Sequence, residues 1–190
     1  MRINNIILFC CTLILVASCT QTYSPKPYGY VRISIPDTAF SYFSESGYPY
    51  TFRVSDNAVI DYKTEQDEKY WLDILYPAFN ARIHCSYKPV NNNLYLLTQE
   101  SEKFVYKHAQ MASSIPEQGY ENPELNVYGV LYEINGNTAS PYQFVITDST
   151  HHFFRGALYF NCTPNQDSLA PVIKYMKTDI IELIESFSWK

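Results

Sequence analysis

The side chains best suited to chemistry crowd into one short segment, residues 147–152. Thr147-Asp148-Ser149-Thr150-His151-His152 places an acid, three hydroxyls and two imidazoles within six residues. An acid, a serine and a histidine in mutual contact could activate the hydroxyl for hydrolysis. The same residue types also build turns, in which Asp and Ser bond to the backbone and adjacent histidines diverge. We expect a turn between two strands, and a hydrolase site of Asp148, Ser149 and His152 is the alternative.

Residues that could bind a metal are few, and neighbours along a strand point away from each other. Zinc needs three or four converging ligands. Gly-x-Ser-x-Gly, Ser-x-x-Lys with its companion motifs and a glycine-rich phosphate loop are absent from the sequence. We therefore expect no metal site, no cofactor and no enzymatic activity. The candidate soft ligands are His84, Cys85, His108, His151 and His152, with His108 expected on the apolar stripe of a helix.

The N-terminus has the order of a secretory signal. Arg2 precedes an uncharged run at residues 6–17, and Ser18 and Cys19 follow. Twelve apolar residues are too short to cross a hydrocarbon core of roughly 30 Å. Val16-Ala17-Ser18-Cys19 resembles the lipobox of bacterial lipoproteins, whose cysteine is acylated and becomes residue one. We expect residues 1–18 to be removed and Cys19 to carry S-diacylglycerol and N-palmitoyl groups; the alternative is a plain signal peptide.

The mature chain should then have about 172 residues, enough for one domain. Residues 19–27 are expected to be a lipidated tether and residues 28–190 a single globular domain. Thr20 is not the aspartate that resembles an inner-membrane retention signal, so we expect the periplasmic leaflet of the outer membrane. The net charge of −5 excludes the basic footprint of a nucleic-acid-binding protein. Of the five cysteines, Cys85 and Cys162 remain free to form a disulfide in this oxidising compartment.

Hydrophobic periodicity predicts strands in groups and two helices. The middle helix should run from Asn93 to near Ser113, with Leu94, Leu97, Phe104 and Met111 on its apolar stripe. The C-terminal helix should be capped by Asp167 or Ser168, with Pro171 in its first turn. Its apolar face is predicted to carry Leu169, Ile173, Met176, Ile180, Ile184 and Phe187. Hairpin turns are predicted at residues 55–57 and 135–137, a turn at 76–80 and an exposed loop at 115–125. The predicted strands are residues 30–35, 50–54, 58–62, 70–75, 81–88, 127–134, 142–148 and 151–160.

Grouped strands and few helices favour an α+β fold, a mainly antiparallel sheet with a middle helix and a C-terminal helix packed on it. The order of elements also resembles the PsbP/Mog1-like fold. On the last long strand Phe153, Arg155 and Tyr159 share one face, whereas His152 belongs to the other. Either a helix covers each face, or one face docks a partner, since Tyr and Arg are enriched at binding hot spots. The candidate partner surface is Tyr30, Arg32, His152, Phe153, Arg155 and Tyr159.

Motifs spread over nearly the whole mature chain resemble the gliding motility lipoprotein GldD family. The resemblance implies an envelope lipoprotein needed for gliding, associated with the type IX secretion machinery and its companion lipoproteins, with no assigned enzymatic activity. Gly47-Tyr48 stands where the family leads us to expect a cysteine before Pro49. The motifs are Pro25-Lys26-Pro27, Gly29-Tyr30, Arg32, Pro49-Tyr50-Thr51-Phe52, Trp71, Ser86-Tyr87-Lys88-Pro89, Tyr106-Lys107-His108, Gly136-Asn137, Ala139-Ser140, Thr147-Asp148-Ser149-Thr150, His152-Phe153, Arg155-Gly156, Leu158-Tyr159-Phe160-Asn161, Asp167-Ser168-Leu169-Ala170-Pro171, Phe187 and Trp189-Lys190.

Together these features predict a non-enzymatic, lipid-anchored component of the gliding and type IX secretion apparatus that binds other envelope proteins. The alternatives are an envelope hydrolase using Asp148, Ser149 and His152, and a periplasmic carrier of a small ligand.

Overall fold

The computed structural model describes residues 34–64, 69–107 and 110–190. The signal segment, Cys19, the tether, Tyr30, Arg32 and His108 lie outside these residues. The described strands are β1 (Phe40–Phe43), β2 (Tyr50–Ser55), β3 (Val59–Tyr62), β4 (Leu72–Tyr76), β5 (Ala81–Pro89), β6 (Ala112–Ser114), β7 (Glu117–Asn122), β8 (Val127–Glu133), β9 (Asn135–Gly136), β10 (Tyr142–Thr147), β11 (His152–Phe160) and β12 (Ser188–Trp189). The helices are α1 (Leu94–Tyr106) and α2 (Gln166–Glu185), and a 3-10 turn, Pro77–Phe79, joins β4 to β5.

A seven-stranded sheet in the order β3-β4-β5-β11-β10-β8-β7 forms the centre of the fold. A three-stranded sheet, β1-β2-β12, and a short pair, β6-β9, accompany it. Every strand pairing among the described residues is antiparallel. This arrangement confirms the predicted α+β class with a mainly antiparallel sheet and two helices.

The main core lies between one face of the large sheet, α2 and the three-stranded sheet. Alternation along β11 sends Phe154 and Leu158 into this core, where Tyr50 and Phe52 of β2 and Phe187 meet them. The opposite face of the sheet carries a smaller cluster with α1. In that cluster Leu97 packs with Val90, Val145 and Phe153. Helix α1 therefore packs against one face of β11, and the other face packs on β2 and Phe187 within the core that α2 also lines. Both faces of this strand are covered, the second of them mainly by the three-stranded sheet rather than by a helix.

Two predicted hairpins have different outcomes. Residues 55–57 form a turn, but β2 pairs with β1 and β12 whereas β3 pairs with β4, so the predicted hairpin between them is wrong. The reason is tertiary, because β2 buries Tyr50 and Phe52 in the three-stranded sheet. The pairing of β8 with β10 is confirmed, and Gly136 in their connection has φ of 127°.

The middle of the chain differs most from expectation. Helix α1 ends at Tyr106, and Met111 is 64% exposed in a turn before β6. The buried positions of α1 are Leu97, Ser101 and Val105. Phe104 is therefore not on the buried face of the helix, and its side chain is 43% exposed. The predicted loop at 115–125 contains the edge strand β7, which pairs with β8. Short polar edge strands show little apolar periodicity, which explains why the sequence pattern did not predict β7.

The ends of the described chain need two corrections. Asn165 caps α2 by accepting a hydrogen bond from the backbone N–H of Ser168, so Pro171 lies inside the helix rather than in its first turn. Met176, Ile180 and Ile184 are buried as predicted. Ser34 and Ile35 belong to no strand, and the remainder of the strand predicted at 30–35 lies outside the described residues.

Candidate functional site

A cleft of about 320 Å³ opens between α1 and the face of the large sheet formed by β4, β5 and β11. Strand alternation puts His84, Ser86 and Lys88 of β5 on this face, in register with Ala157, Arg155 and Phe153 of β11. The cleft is lined by Lys63, Trp71, Asp73, His84, Cys85, Ser86, Lys88, Leu97, Glu100, Ser101, Phe104, Phe153, Arg155 and Tyr159.

Arg155 lies in the centre of this cleft. Its Nη2 donates a hydrogen bond of 2.6 Å to Oε1 of Gln143, and its guanidinium carbon lies 4.7 Å from the centroid of the Phe104 ring. Burial lowers the pKa of the guanidinium, although the neighbouring Tyr159 and Glu100 oppose this shift. Within the described residues, no carboxylate lies within 4.0 Å of Arg155. The cleft therefore holds a half-buried positive charge that stacks on an aromatic ring but has no ion-pair partner there.

Asp73 provides a buried negative charge on β4. Its side chain is 1% exposed, and its carboxylate lies 2.9 Å from Nζ of Lys63 and 3.8 Å from Nη1 of Arg82. Nδ1 of His84 is in close contact with the same carboxylate. Contact with Asp73 also raises the pKa of Lys63. A carboxylate this deeply buried requires such compensation, because its desolvation is costly.

Glu100 of α1 and Lys88 of β5 form a further ion pair at the cleft, with 2.9 Å between Oε2 and Nζ. Both side chains are more than two-fifths exposed, so the pair contributes little to stability. It nevertheless links the helix to the sheet across the opening.

Two shallower depressions continue the cleft at its ends. One shares His84 and Tyr159 with it and adds Arg82, Phe160 and Asn161. The other shares Glu100 and Phe104 and adds Lys103, Tyr106 and Lys107. We call the cleft with these two extensions the basic groove. It contains six of the fourteen Lys and Arg residues of the chain but only two of the nineteen Asp and Glu residues.

The segment 147–152 forms the predicted turn. Oδ1 of Asp148 accepts hydrogen bonds from the backbone N–H groups of Thr150, His151 and His152, at 3.0, 2.8 and 2.8 Å. Burial opposes the charged form of Asp148, but these hydrogen bonds outweigh it and lower the carboxyl pKa. Asp148 is therefore occupied in holding the turn.

The imidazole of His152 has a different environment. Its Nδ1 is hydrogen-bonded to the hydroxyl of Tyr87 at 2.7 Å, and its ring stacks on Trp189 with 4.9 Å between centroids. Burial lowers its pKa. Among the described residues no hydrogen bond joins the Ser149 hydroxyl to this ring. Asp148, Ser149 and His152 therefore do not assemble as a hydrolytic triad in this structure.

The candidate partner surface is divided by the fold. Arg155 and Tyr159 line the basic groove, and Phe153 lies at its base but is only 4% exposed. His152 is on the opposite face, whereas Tyr30 and Arg32 lie outside the described residues. Sequence reasoning did not select Lys63, Asp73 or Phe104. The alternation of Arg82, His84, Ser86 and Lys88 along a central strand was the available signal, but it is also the ordinary pattern of an antiparallel sheet with one face in water.

The two remaining cysteines are free thiols in the structure, so the disulfide left open by the sequence is not formed between them. Cys85 is buried and pairs in register with Gly156, whereas Cys162 is exposed beyond the end of β11. Four residues of β11 separate Gly156 from the end of the strand at Phe160, roughly 13 Å, and Cys162 lies two residues beyond that end, against a disulfide Cα separation below about 7 Å.

Two further properties concern the described part of the chain only. No group of three or more His, Cys, Asp or Glu side chains there is arranged to hold a metal ion. Neither α1 nor α2, the helices of the described ranges, combines the length and apolar character of a membrane span.

Comparisons with known proteins place this geometry in context. The family model described as gliding motility lipoprotein GldD matches residues 20–189. A search of curated proteins found no match. Among solved structures, the chain is similar to the solution structure of cyanobacterial PsbP (CyanoP) from Synechocystis sp. PCC 6803. The identity is 11% and the TM-score 0.47, over 87% of this chain and 100% of that one. Similarity at that level is too low to transfer a function.

Proposed function

Because the chain belongs to the gliding motility lipoprotein GldD family, we propose that it is a lipid-anchored accessory component of the gliding and type IX secretion machinery. It acts without catalysis, by binding other proteins of the cell envelope. The observation that carries the proposal is the family match, which covers residues 20–189 and so begins directly after Cys19. Family membership gives the chain its role in gliding motility; the secretion machinery and the mode of action are the proposed steps.

The anchor is the first part of this proposal. Cys19 carries diacylglycerol and palmitate, and the short polar stretch after it tethers the domain to the periplasmic leaflet of the outer membrane. Several acyl chains, each contributing about 0.8 kcal/mol per buried methylene, would hold the protein there durably. Growth with labelled palmitate should label the wild-type protein but not Cys19→Ser. Label in the Cys19→Ser protein would reject the anchor without affecting family membership.

Binding is the second part. The core face of β11 is buried against β2 and Phe187, so the accessible part of the large sheet near this strand is the basic groove beside α1. Arg155, Tyr159 and Phe104 bring an unpaired cation and aromatic rings together in that groove, which is the composition of binding hot spots. Crosslinking and affinity purification from envelope membranes should recover components of the gliding and secretion machinery. Recovery of none of them from cells in which the protein is required would reject this mode of action.

A carrier of a small ligand is the second candidate, favoured by the cleft volume. About 320 Å³ is at the lower end of ligand pockets, which range from about 300 to 1,000 Å³. Native mass spectrometry of the protein purified from its own cells separates the two functions. A stoichiometric small molecule retained after exchange into volatile buffer supports the carrier, and a ligand-free mass supports the binding module.

A further inference from the structure

We propose that the basic groove binds an extended acidic segment of another envelope protein. This inference rests on the function proposed above, since it names the chemistry of the partner. The groove begins at Arg82, passes Arg155 beside α1, and ends at Lys103 and Lys107 near the end of that helix.

Charge complementarity is the first argument. The chain as a whole carries a net charge of −5, yet the groove has six Lys and Arg residues against two Asp and Glu residues. Both acids are already paired, Asp73 with Lys63 and Glu100 with Lys88. Arg155, Lys103 and Lys107 form no ion pair with any described residue. Glu117 also lies beside the groove, where it accepts a hydrogen bond of 2.8 Å from the Tyr106 hydroxyl, but the Lys and Arg residues still outnumber the acids. The groove therefore presents an excess of positive charge to its occupant.

The guanidinium of Arg155 suggests a carboxylate as the anchoring group. Its Nη2 donates to Gln143, Tyr159 is a neighbouring partner, and the Phe104 ring lies 4.7 Å from its central carbon, whereas no described carboxylate pairs with it. Guanidinium groups pair with carboxylates through two parallel hydrogen bonds, and partial burial strengthens such pairs. The hydroxyl of Tyr159 and the side chains of Ser86 and Ser101 line the same cleft as further hydrogen-bonding groups.

The length of the groove favours a peptide over a compact anion. Arg82 and Lys88 lie six residues apart on β5, which corresponds to roughly 20 Å of strand, the span of about six residues of extended chain. Aromatic side chains accompany the charges, with Phe104 43% and Tyr106 50% exposed. A concave site walled by α1 also suits a peptide better than the flat plane of lipid headgroups.

The test uses the full-length lipidated protein in detergent and a fluorescein-labelled hexaglutamate peptide. Lys103→Glu/Lys107→Glu reverses two exposed charges of the groove. Its matched control is Lys174→Glu/Lys190→Glu, which makes the same charge change at exposed positions outside the groove. Circular dichroism verifies that all three proteins are folded.

We expect the wild-type and control proteins to bind hexaglutamate with affinities within about twofold, and the groove variant to bind at least about tenfold more weakly. Equal weakening in both variants, or no binding by the wild type, would overturn the proposal. So would displacement of the peptide by dihexanoyl phosphatidylglycerol at lower concentrations than by unlabelled hexaglutamate, because the groove would then prefer a lipid headgroup. If the groove variant also restores gliding and co-purification to a deletion strain as well as the wild type, only this inference fails and the proposed function stands.

Discussion

The carboxylate of Asp73 lies 2.9 Å from the ammonium group of Lys63, and only 1% of the Asp73 side chain is exposed. Lys63 directly follows β3 and Asp73 belongs to β4, so the ion pair fastens the edge strand to its neighbour. Arg82 and His84 contact the same carboxylate from β5. The Asp73 carboxylate thus links β3, β4 and β5 at the floor of the basic groove.

Replacing Lys63 with methionine tests the importance of this pair. We expect Lys63→Met to destabilise the fold by about 1–2 kcal/mol, because the buried carboxylate loses one cation but keeps Arg82 and His84. Urea unfolding measures the change, with the exposed Lys69→Met as the control, expected within about 0.5 kcal/mol of wild type. A Lys63→Met protein as stable as the wild type would mean that the pair does not hold the edge strand.

Asp179 predicts a pH dependence of stability. Its side chain, on the buried face of α2, is 3% exposed, and burial raises its pKa from 3.8 to about 6 despite the hydroxyls of Tyr76, Ser55 and Tyr175. Between those values the folded state binds more protons than the unfolded state, so the free energy of unfolding falls as the pH rises from about 4 to 6. At neutral pH the raised pKa of Asp179 lowers the free energy of unfolding by an amount of the order of 3 kcal/mol.

Asp179→Asn should therefore be more stable than the wild type at pH 8 and nearly equal to it at pH 4. Chemical denaturation at both pH values measures the two differences. A variant that is less stable than the wild type at pH 8 would contradict a buried, poorly compensated carboxylate at this position.

Gly156 of β11 leaves room for the ring of Phe144 on β10. The two residues are paired in register, and a Cβ at position 156 would overlap the ring. We expect Gly156→Ala to destabilise the fold by about 1–3 kcal/mol, since the fully buried ring of Phe144 would have to shift within the core. Gly119→Ala on the edge strand β7 is the control, because nothing lies within 4 Å of its new Cβ. Equal stability of the two variants would contradict the packing of β10 on β11.

The two free thiols should differ in reactivity. Burial raises the pKa of the Cys85 thiol, whereas Cys162 is exposed. In the native protein we expect a thiol reagent to modify Cys162 at once and Cys85 only after denaturation. Peptide mapping identifies the modified residue. Resistance of Cys162, or a mass two hydrogens lower under non-reducing conditions, would indicate a disulfide instead.

The features that could be predicted from the sequence are those that a local residue pattern determines, such as strands, turns and the buried face of a helix. Alternation identified the long strands of the sheet, and the turn at 147–152 follows from the tendency of Asp148 to accept backbone N–H groups. The spacing of Met176, Ile180 and Ile184 likewise located the buried face of α2. Each of these features depends on residues close together in the chain, so a single sequence is enough to predict it.

The groove could not be predicted in the same way. Asp73 and Arg82 lie on adjacent strands, and Arg155 meets Phe104 across a helix–sheet contact, so their meeting depends on strand order and on where α1 ends. The apolar spacing suggested that Phe104 faces the core, but tertiary packing buries Leu97, Ser101 and Val105 instead. The ring of Phe104 is 43% exposed and forms part of the groove proposed to bind a partner.

Crosslinking at the groove in living cells is the most direct test of the proposed function. A photoreactive benzoylphenylalanine is placed at Tyr106 in the groove or at Tyr42, which is 70% exposed on β1 and outside the groove. We predict that position 106 yields adducts with proteins of the gliding and secretion machinery, that the crosslinked peptides are rich in Asp and Glu, and that Cys19→Ser abolishes the adducts. Adducts of equal yield and identity from Tyr42, or none from either position in gliding cells, would contradict this prediction.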